Sequence, residues 1–153
     1  MAGGLAPHRG APGRLDRVVL GTAAQQAAQA GAELAALPEY FSGMGLDERD
    51  KLARAEAFGD GPVQQFLARA ARELSLWIVG GTLPLASPEA DRVHNSSLAF
   101  DPDGRCVARY DKIHLFGFAK GREQFDEART IAAGQQPVHF DLPARDGHAW
   151  RVG

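Results

Sequence analysis

The sequence predicts a layered α/β domain, because helix and strand patterns alternate in its first half and a β-hairpin pattern follows. After Pro62, apolar side chains recur at helical spacing as far as Leu74, and this pattern predicts a helix that buries one face. Residues 76–83 begin with the run LWIV, which is rich in aromatic and β-branched side chains, and they predict a buried strand. Residues 95–100 and 105–110 flank an Asp-Pro-Asp-Gly turn and predict the hairpin.

The segments before Pro62 fit the same alternation. Residues 1–13 are rich in Gly, Ala and Pro, and we expect them to form a flexible lead-in outside the fold. Apolar positions over residues 15–30 have helical spacing, although residues 18–21 also fit the end of a short strand. The short apolar run 33–37 is halted by proline and predicts a buried strand.

The segments after the hairpin have a different character. Residues 113 to about 128 contain many glycines and charges and predict a loop. Residues 137–142 and 148–152 predict two further strands, which flank a turn at Asp146-Gly147. The whole pattern is that of one domain over residues 14–153.

The composition limits the classes of partner. The chain has 153 residues, with 17 Lys and Arg against 19 Asp and Glu, so its formal charge is −2. The basic residues are scattered among acidic ones, and we therefore expect no nucleic-acid partner and no anionic membrane partner. The sequence has no apolar block of the length that a secretory signal or a membrane span needs, which favours a cytoplasmic location.

Several common kinds of site are not indicated. The sequence has no GxGxxG, GxxxxGK[ST] or GxSxG pattern, so neither a nucleotide loop nor a serine nucleophile elbow is predicted. The five histidines are far apart and have no second ligand at metal-binding spacing. We therefore expect no cofactor and no metal.

The single cysteine, Cys106, follows the hairpin turn directly. It alternates with Ala108 and Tyr110 on one strand face, and no neighbouring residue would obviously lower the pKa of its thiol. A role as a small buried hydrophobic residue is therefore favoured over a role as a nucleophile.

Two charged residues occur where α/β sheets place functional groups. Glu39 follows the carboxyl end of the predicted strand 33–37, and it is either a functional carboxylate or a solvated loop acid. Lys112 lies among apolar and aromatic residues at the end of another strand, where its burial is costly without a carboxylate partner. A pair formed by Glu39 and Lys112 would satisfy both charges.

The segments around these two residues resemble motifs of the nitrilase, or carbon–nitrogen hydrolase, superfamily. Residues 31–41 (GAELAALPEYF) resemble its first-glutamate motif, and residues 110–116 (YDKIHLF) resemble its lysine motif. Residues 77–82 and 95–104 resemble the intervening strands in order and spacing. The resemblance covers roughly residues 15–153, and two catalytic motifs within four ordered segments are specific.

The resemblance implies an α-β-β-α sandwich, of which residues 14–153 would form a part. It also implies a Glu-Lys-Cys triad with a second glutamate, in which Glu39 corresponds to the general base and Lys112 to the lysine. Glu127 is the candidate for the second glutamate. The cysteine of the family follows the strand that begins here near residue 149, so we expect this chain to be an N-terminal portion that lacks it; Cys106 does not occupy that position.

The resemblance further implies hydrolysis of a small linear amide, and the KIHLF form favours the ω-amidase and deaminated-glutathione-amidase branch over true nitrilases. Because the chemistry passes through a thiolate, we expect the 153-residue chain alone to be inactive. A homo-oligomer is implied if the full domain is present. Two alternatives stay open, a catalytically inactive remnant that acts as an interaction module and a small α/β binding domain unrelated to hydrolysis.

Overall fold

The computed structural model describes residues 14–43, 49–120 and 123–153. The predicted lead-in, residues 1–13, lies outside the described residues. The described residues form helices and sheets, and the prediction of a layered α/β fold is confirmed.

Three α-helices are described: α1 (Arg14–Gln29), α2 (Asp50–Ala53) and α3 (Pro62–Leu74). The predicted helices at 15–30 and behind Pro62 are confirmed, and the alternative that residues 18–21 end a strand is wrong. Helix α3 has proline in its first turn and ends at Leu74, because the next residue, Ser75, has a φ of 49° and a left-handed backbone that stops the helix. None of the helices among the described residues has the length and apolar character that a bilayer crossing requires.

The main sheet has five strands, and the longest, β4, is paired along both of its edges. The parallel pair β1–β2 continues into β4, which also pairs with β3 and with β5, in every case antiparallel. Since Ser96 of β4 pairs with both Leu83 and Asp111, strands β3 and β5 lie on opposite edges of β4. The strands are β1 (Leu34–Ala36), β2 (Trp77–Val79), β3 (Leu83–Ala86), β4 (Val93–Phe100) and β5 (Cys106–Asp111).

The strand predicted at 76–83 is interrupted. Strands β2 and β3 follow one another along the same edge of β4, and between them the Gly80 N–H donates to Leu98 O at 2.7 Å. Gly81 has a φ of 28°, and a Cβ there would lie 1.9 Å from Pro38 O. The interruption therefore lets the backbone that follows β1 approach the sheet more closely than any side chain would allow.

The two faces of the sheet have different neighbours. Helix α3 covers one face, and its side chains join those of the sheet in one buried apolar cluster. Because side chains alternate along a strand, Asn95, Ser97 and Ala99 of β4 face the other side. The buried cluster contains Phe41, Leu67, Ala71, Ile78, Leu83, Leu85, Leu98 and Phe100.

The prediction of a loop from residue 113 to about residue 128 is wrong for the centre of this segment. Strands β6 (Gly117–Lys120) and β7 (Glu123–Asp126) form an antiparallel hairpin there, with Phe118 opposite Phe125. Every described side chain of the hairpin strands is exposed, so the alternation of apolar and polar residues that reveals a half-buried strand does not arise.

The last hairpin agrees with its prediction. Strands β8 (Phe140–Pro143) and β9 (Ala149–Val152) pair antiparallel around the predicted turn. Phe140 stacks on Trp77 of the main sheet with a centroid distance of 5.6 Å. This contact holds the hairpin against the face of the sheet that α3 does not cover.

Candidate active site

Glu39 lies just beyond the carboxyl end of β1. The Leu37 N–H still donates to Val79 O, at 2.9 Å, before Pro38 ends the pairing. The next residue, Tyr40, has a φ of 52° and donates its backbone N–H to Thr82 Oγ1 at 2.9 Å. A left-handed residue and a side-chain acceptor thus fix the turn that carries Glu39.

Lys112 is the first residue after β5, and its backbone still bonds to β4. Its N–H donates to Asn95 O and its C=O accepts from the Gly134 N–H, both at 2.9 Å. A Cβ at Gly134 would lie 2.0 Å from Asp111 O, so only glycine permits this approach. Lys112 is therefore held by backbone bonds on both sides.

Glu127 reaches Lys112 through the hairpin that the sequence did not reveal. Phe116 and Glu127 face each other at the base of β6–β7, where the Glu127 N–H donates to Phe116 O at 3.0 Å. In return, the Phe116 N–H donates to Glu127 Oε2 at 2.8 Å. The hairpin turns the chain back and brings the Glu127 carboxylate beside the lysine.

The three predicted residues meet at one point. Lys112 Nζ lies 3.1 Å from Glu39 Oε1 and 3.0 Å from Glu127 Oε2. The Glu127 side chain is 6% exposed, whereas that of Glu39 is 50% exposed. The ammonium group therefore joins one buried carboxylate to one that faces open space.

The electrostatic balance at Lys112 favours its charged form. Burial opposes the charge and by itself lowers the pKa of Lys112, but hydrogen bonds and charges from Glu127 and Glu39 outweigh it and leave the pKa raised. The lysine is consequently a fixed cation at neutral pH. Such a group can stabilise negative charge that develops on an oxygen atom nearby.

Tyr40 adds a buried hydroxyl next to these carboxylates. Its oxygen has no hydrogen-bond partner within the described part of the chain. Burial, followed by the negative charges of Glu127 and Glu39, raises the pKa of Tyr40 above its ordinary value. The hydroxyl therefore stays protonated and can act only as a neutral group.

A cavity of about 750 Å³ opens beside Glu39 and Lys112. Most of its wall is apolar, and Glu39 and Lys112 are among the few charged or polar residues that line it. The lining extends from the main sheet to the last hairpin and includes Phe140 and Val152. The described residues contain no group of three His, Cys, Asp or Glu side chains that could hold a metal ion.

Cys106 lies elsewhere. It begins β5 and Lys112 follows the end of that strand, so at about 3.3 Å per residue their Cα atoms lie roughly 20 Å apart. The prediction that Cys106 is buried is wrong, because β5 is an edge strand and the pairing shifts register at Ala99/Phe100, where the strand begins. Partial desolvation raises the pKa of its thiol, even though the Ala108 carbonyl and Arg109 act in the opposite direction.

Asn95 contacts the site, and sequence reasoning did not find it. It is 1% exposed, and its Nδ2 donates to Glu39 Oε1 at 2.9 Å. The predicted hairpin places Asn95 and Lys112 on the same face of the sheet, but it does not make them neighbours. The register shift in β4–β5 makes Asn95 and Lys112 neighbours, and the pattern of residue types does not predict such a shift.

The chain is similar to known carbon–nitrogen hydrolases. Residues 18–149 match the family model described as carbon–nitrogen hydrolase. Omega-amidase NIT2 from Homo sapiens is 34% identical over 121 residues, which are 78% of this chain and 42% of that protein. Deaminated glutathione amidase from Yersinia enterocolitica is 48% identical over 94 residues, which are 58% of this chain and 32% of that protein.

Two solved structures are similar at 25% sequence identity. The NitFhit protein of C. elegans aligns with a TM-score of 0.71, covering 81% of this chain and 30% of the other. A Cys-to-Ser variant of the Nesterenkonia AN1 amidase, from the nitrilase superfamily, aligns with a TM-score of 0.67, covering 89% and 48%. The chain spans less than half the length of the relatives that it matches. Since the family match extends over most of its residues, the chain belongs to the carbon–nitrogen hydrolase family.

Proposed function

We propose that this chain supplies the general base and the oxyanion-stabilising lysine of an enzyme that hydrolyses small linear amides. The observation that carries the proposal is the position of Lys112 Nζ between Glu39 and Glu127, with Glu39 and Lys112 both lining the cavity. The similarity to omega-amidase and to deaminated glutathione amidase supports amides as the substrate class.

In the proposed reaction a cysteine outside these 153 residues is the nucleophile. Glu39 accepts the thiol proton, and the thiolate attacks the amide carbon. Lys112 stabilises the negative oxygen of the tetrahedral intermediate. The C–N bond then breaks, and Glu39 returns its proton to the departing nitrogen, which leaves as ammonia.

The second half of the reaction consumes water. Glu39 takes a proton from a water molecule that attacks the thioester carbon. The C–S bond breaks, the thiol is restored and the carboxylic acid is released. The sum is one amide and one water converted to one acid and one ammonia. Glu127 takes no proton in this scheme and keeps Lys112 charged and in place.

The test compares the 153-residue chain with the protein translated from its complete reading frame. Ammonia release is measured from a series of small ω-amides, with circular dichroism to show that each protein is folded. We expect ammonia from the complete protein and none from the 153-residue chain.

The variant Glu39→Gln of the complete protein keeps the shape of the side chain and removes the base. We expect it to lose about 10²–10⁴-fold in kcat, the usual contribution of a general base. Ammonia release from the 153-residue chain, or full activity in folded Glu39→Gln, would contradict the proposal. A folded complete protein that releases no ammonia would favour a non-catalytic interaction module instead.

A further inference from the structure

We infer that Asn95 is the positioning residue that selects which oxygen of Glu39 acts as the base. This inference rests on the proposed function, because it assigns a role within that reaction. It starts from an asymmetry in the Glu39 carboxylate. Oε1 accepts from both Asn95 Nδ2, at 2.9 Å, and Lys112 Nζ, at 3.1 Å. Within the described residues, Oε2 has no hydrogen-bond partner.

An oxygen that already accepts two hydrogen bonds is a poor acceptor for a further proton, since one of those donors would have to leave first. Oε2 accepts no hydrogen bond from the described residues, and the side chain to which it belongs is 50% exposed. The proton of the nucleophile is therefore taken by Oε2. Asn95 and Lys112 together prevent the carboxylate from rotating and exchanging its two oxygens.

Asn95 can act in this way because it is itself immobile. It lies in the centre of the sheet at 1% exposure, and its backbone C=O accepts from the Lys112 N–H at 2.9 Å. One residue thus bonds to the main chain of the lysine and to the side chain of the glutamate. The distance between the two functional groups is set through Asn95.

The orientation of the Asn95 amide is fixed by charge. A flipped amide would direct Oδ1 at the Glu39 carboxylate, and two acceptors would face each other without a proton between them. In the observed orientation Oδ1 is buried and has no partner among the described residues. An unpaired buried acceptor destabilises the folded state, and such a group in a native structure calls for a functional explanation.

The first arm of the test does not depend on activity. In the 153-residue chain the side-chain NH₂ signals of Asn95 are followed by ¹⁵N NMR. Glu39→Ala removes the acceptor, so we expect these signals to shift and their protons to exchange faster with water. Ser96→Ala is the matched control and should leave the Asn95 side-chain signals nearly unchanged. Ser96 is the next residue of β4, but its side chain bonds to Asp111 on the opposite face. Signals that do not respond to Glu39→Ala would overturn the inference, whether or not any amidase activity is found.

The second arm uses the complete protein and separates kcat from KM. Asn95→Ala leaves the cavity walls in place but releases the carboxylate, so we expect kcat to fall about 10²-fold with little change in KM. Asn95→Asp keeps the shape without the donor and should lose at least as much. Ser96→Ala should keep the parental kcat. If folded Asn95→Ala retains the parental kcat, the positioning role is wrong, although the proposed function is untouched.

Discussion

Lys112 and Glu127 form an ion pair in which the carboxylate is the better buried partner. Glu127 Oε2 lies 3.0 Å from Lys112 Nζ and also accepts the Phe116 N–H at 2.8 Å. The Glu127 side chain is 6% exposed and that of Lys112 is 23% exposed. The lysine is therefore fixed from its buried side, and its open side faces Glu39 and the cavity.

The first prediction concerns alkaline pH. The pKa of Lys112 is raised in the folded chain, so the folded state holds the proton more tightly than the unfolded state, whose lysine pKa is about 10.4. The stabilisation is fully present below that value and is lost as the pH rises through the folded pKa. The raised pKa of Tyr40 acts in the same direction. Urea unfolding between pH 9 and 12 should show a falling free energy of unfolding.

Two variants separate the contributions to that alkaline loss. Glu127→Gln removes a charge that favours protonated Lys112, so the loss above pH 10 should become smaller. Tyr40→Phe removes a titrating group and an unpaired hydroxyl, and should leave the chain at neutral pH as stable or about 1 kcal/mol more stable. A pH dependence identical in all three proteins would refute the assignment.

The second prediction concerns Gly81. An Ala side chain there would meet Pro38 O at 1.9 Å and would also be strained by the φ of 28°. Gly147 is the matched control, because it too has a positive φ, 89°, but a Cβ would meet no atom within 4 Å. Gly81→Ala should cost about 1–3 kcal/mol more than Gly147→Ala in the free energy of unfolding, measured in urea. If the two variants lose the same free energy of unfolding, the backbone after β1 can move away from residue 81 and this prediction is wrong.

The third prediction concerns the start of α3, which has no side-chain cap of its own at Gly61. Glu56 supplies the cap from outside the helix, since its Oε1 accepts from the Val63 N–H at 2.7 Å and its Oε2 from the Gln64 N–H at 3.2 Å. Glu56→Ala leaves these donors unpaired and should cost about 1–3 kcal/mol.

Glu73→Ala provides the comparison for this cap. Glu73 is an exposed residue of the same helix, and its removal should change the free energy of unfolding by no more than about 0.5 kcal/mol. Both variants are measured by urea unfolding. If Glu56→Ala costs as little as Glu73→Ala, Glu56 does not cap the helix.

The fourth prediction concerns Cys106, which is exposed at the start of an edge strand and roughly 20 Å from Lys112 at about 3.3 Å per residue. Cys106→Ser should leave ammonia release by the complete protein unchanged and should alter stability by no more than about 0.5 kcal/mol. Loss of activity in the folded variant would show that Cys106 is needed for the reaction and would contradict the mechanism proposed above.

The sequence predicted those elements that bury one face. The apolar spacing of α3 and the β-branched run of β2 follow from local rules, because each residue there faces either the core or solvent. The β6–β7 hairpin escaped prediction since every described side chain of its strands is exposed and nothing alternates. The sequence did not predict the break between β2 and β3, because the break is required by the close approach of the Gly81 and Pro38 backbones.

The sequence alone determined helices α1 and α3, the β4–β5 and β8–β9 hairpins and the placement of Glu39 and Lys112 at strand ends, because these depend on patterns over a few neighbouring residues. Only the tertiary structure decided that Glu127 reaches Lys112 and that Asn95 bonds to Glu39. Such contacts depend on strand register, and register is set by a bulge and a hairpin whose energies come from the packed chain as a whole.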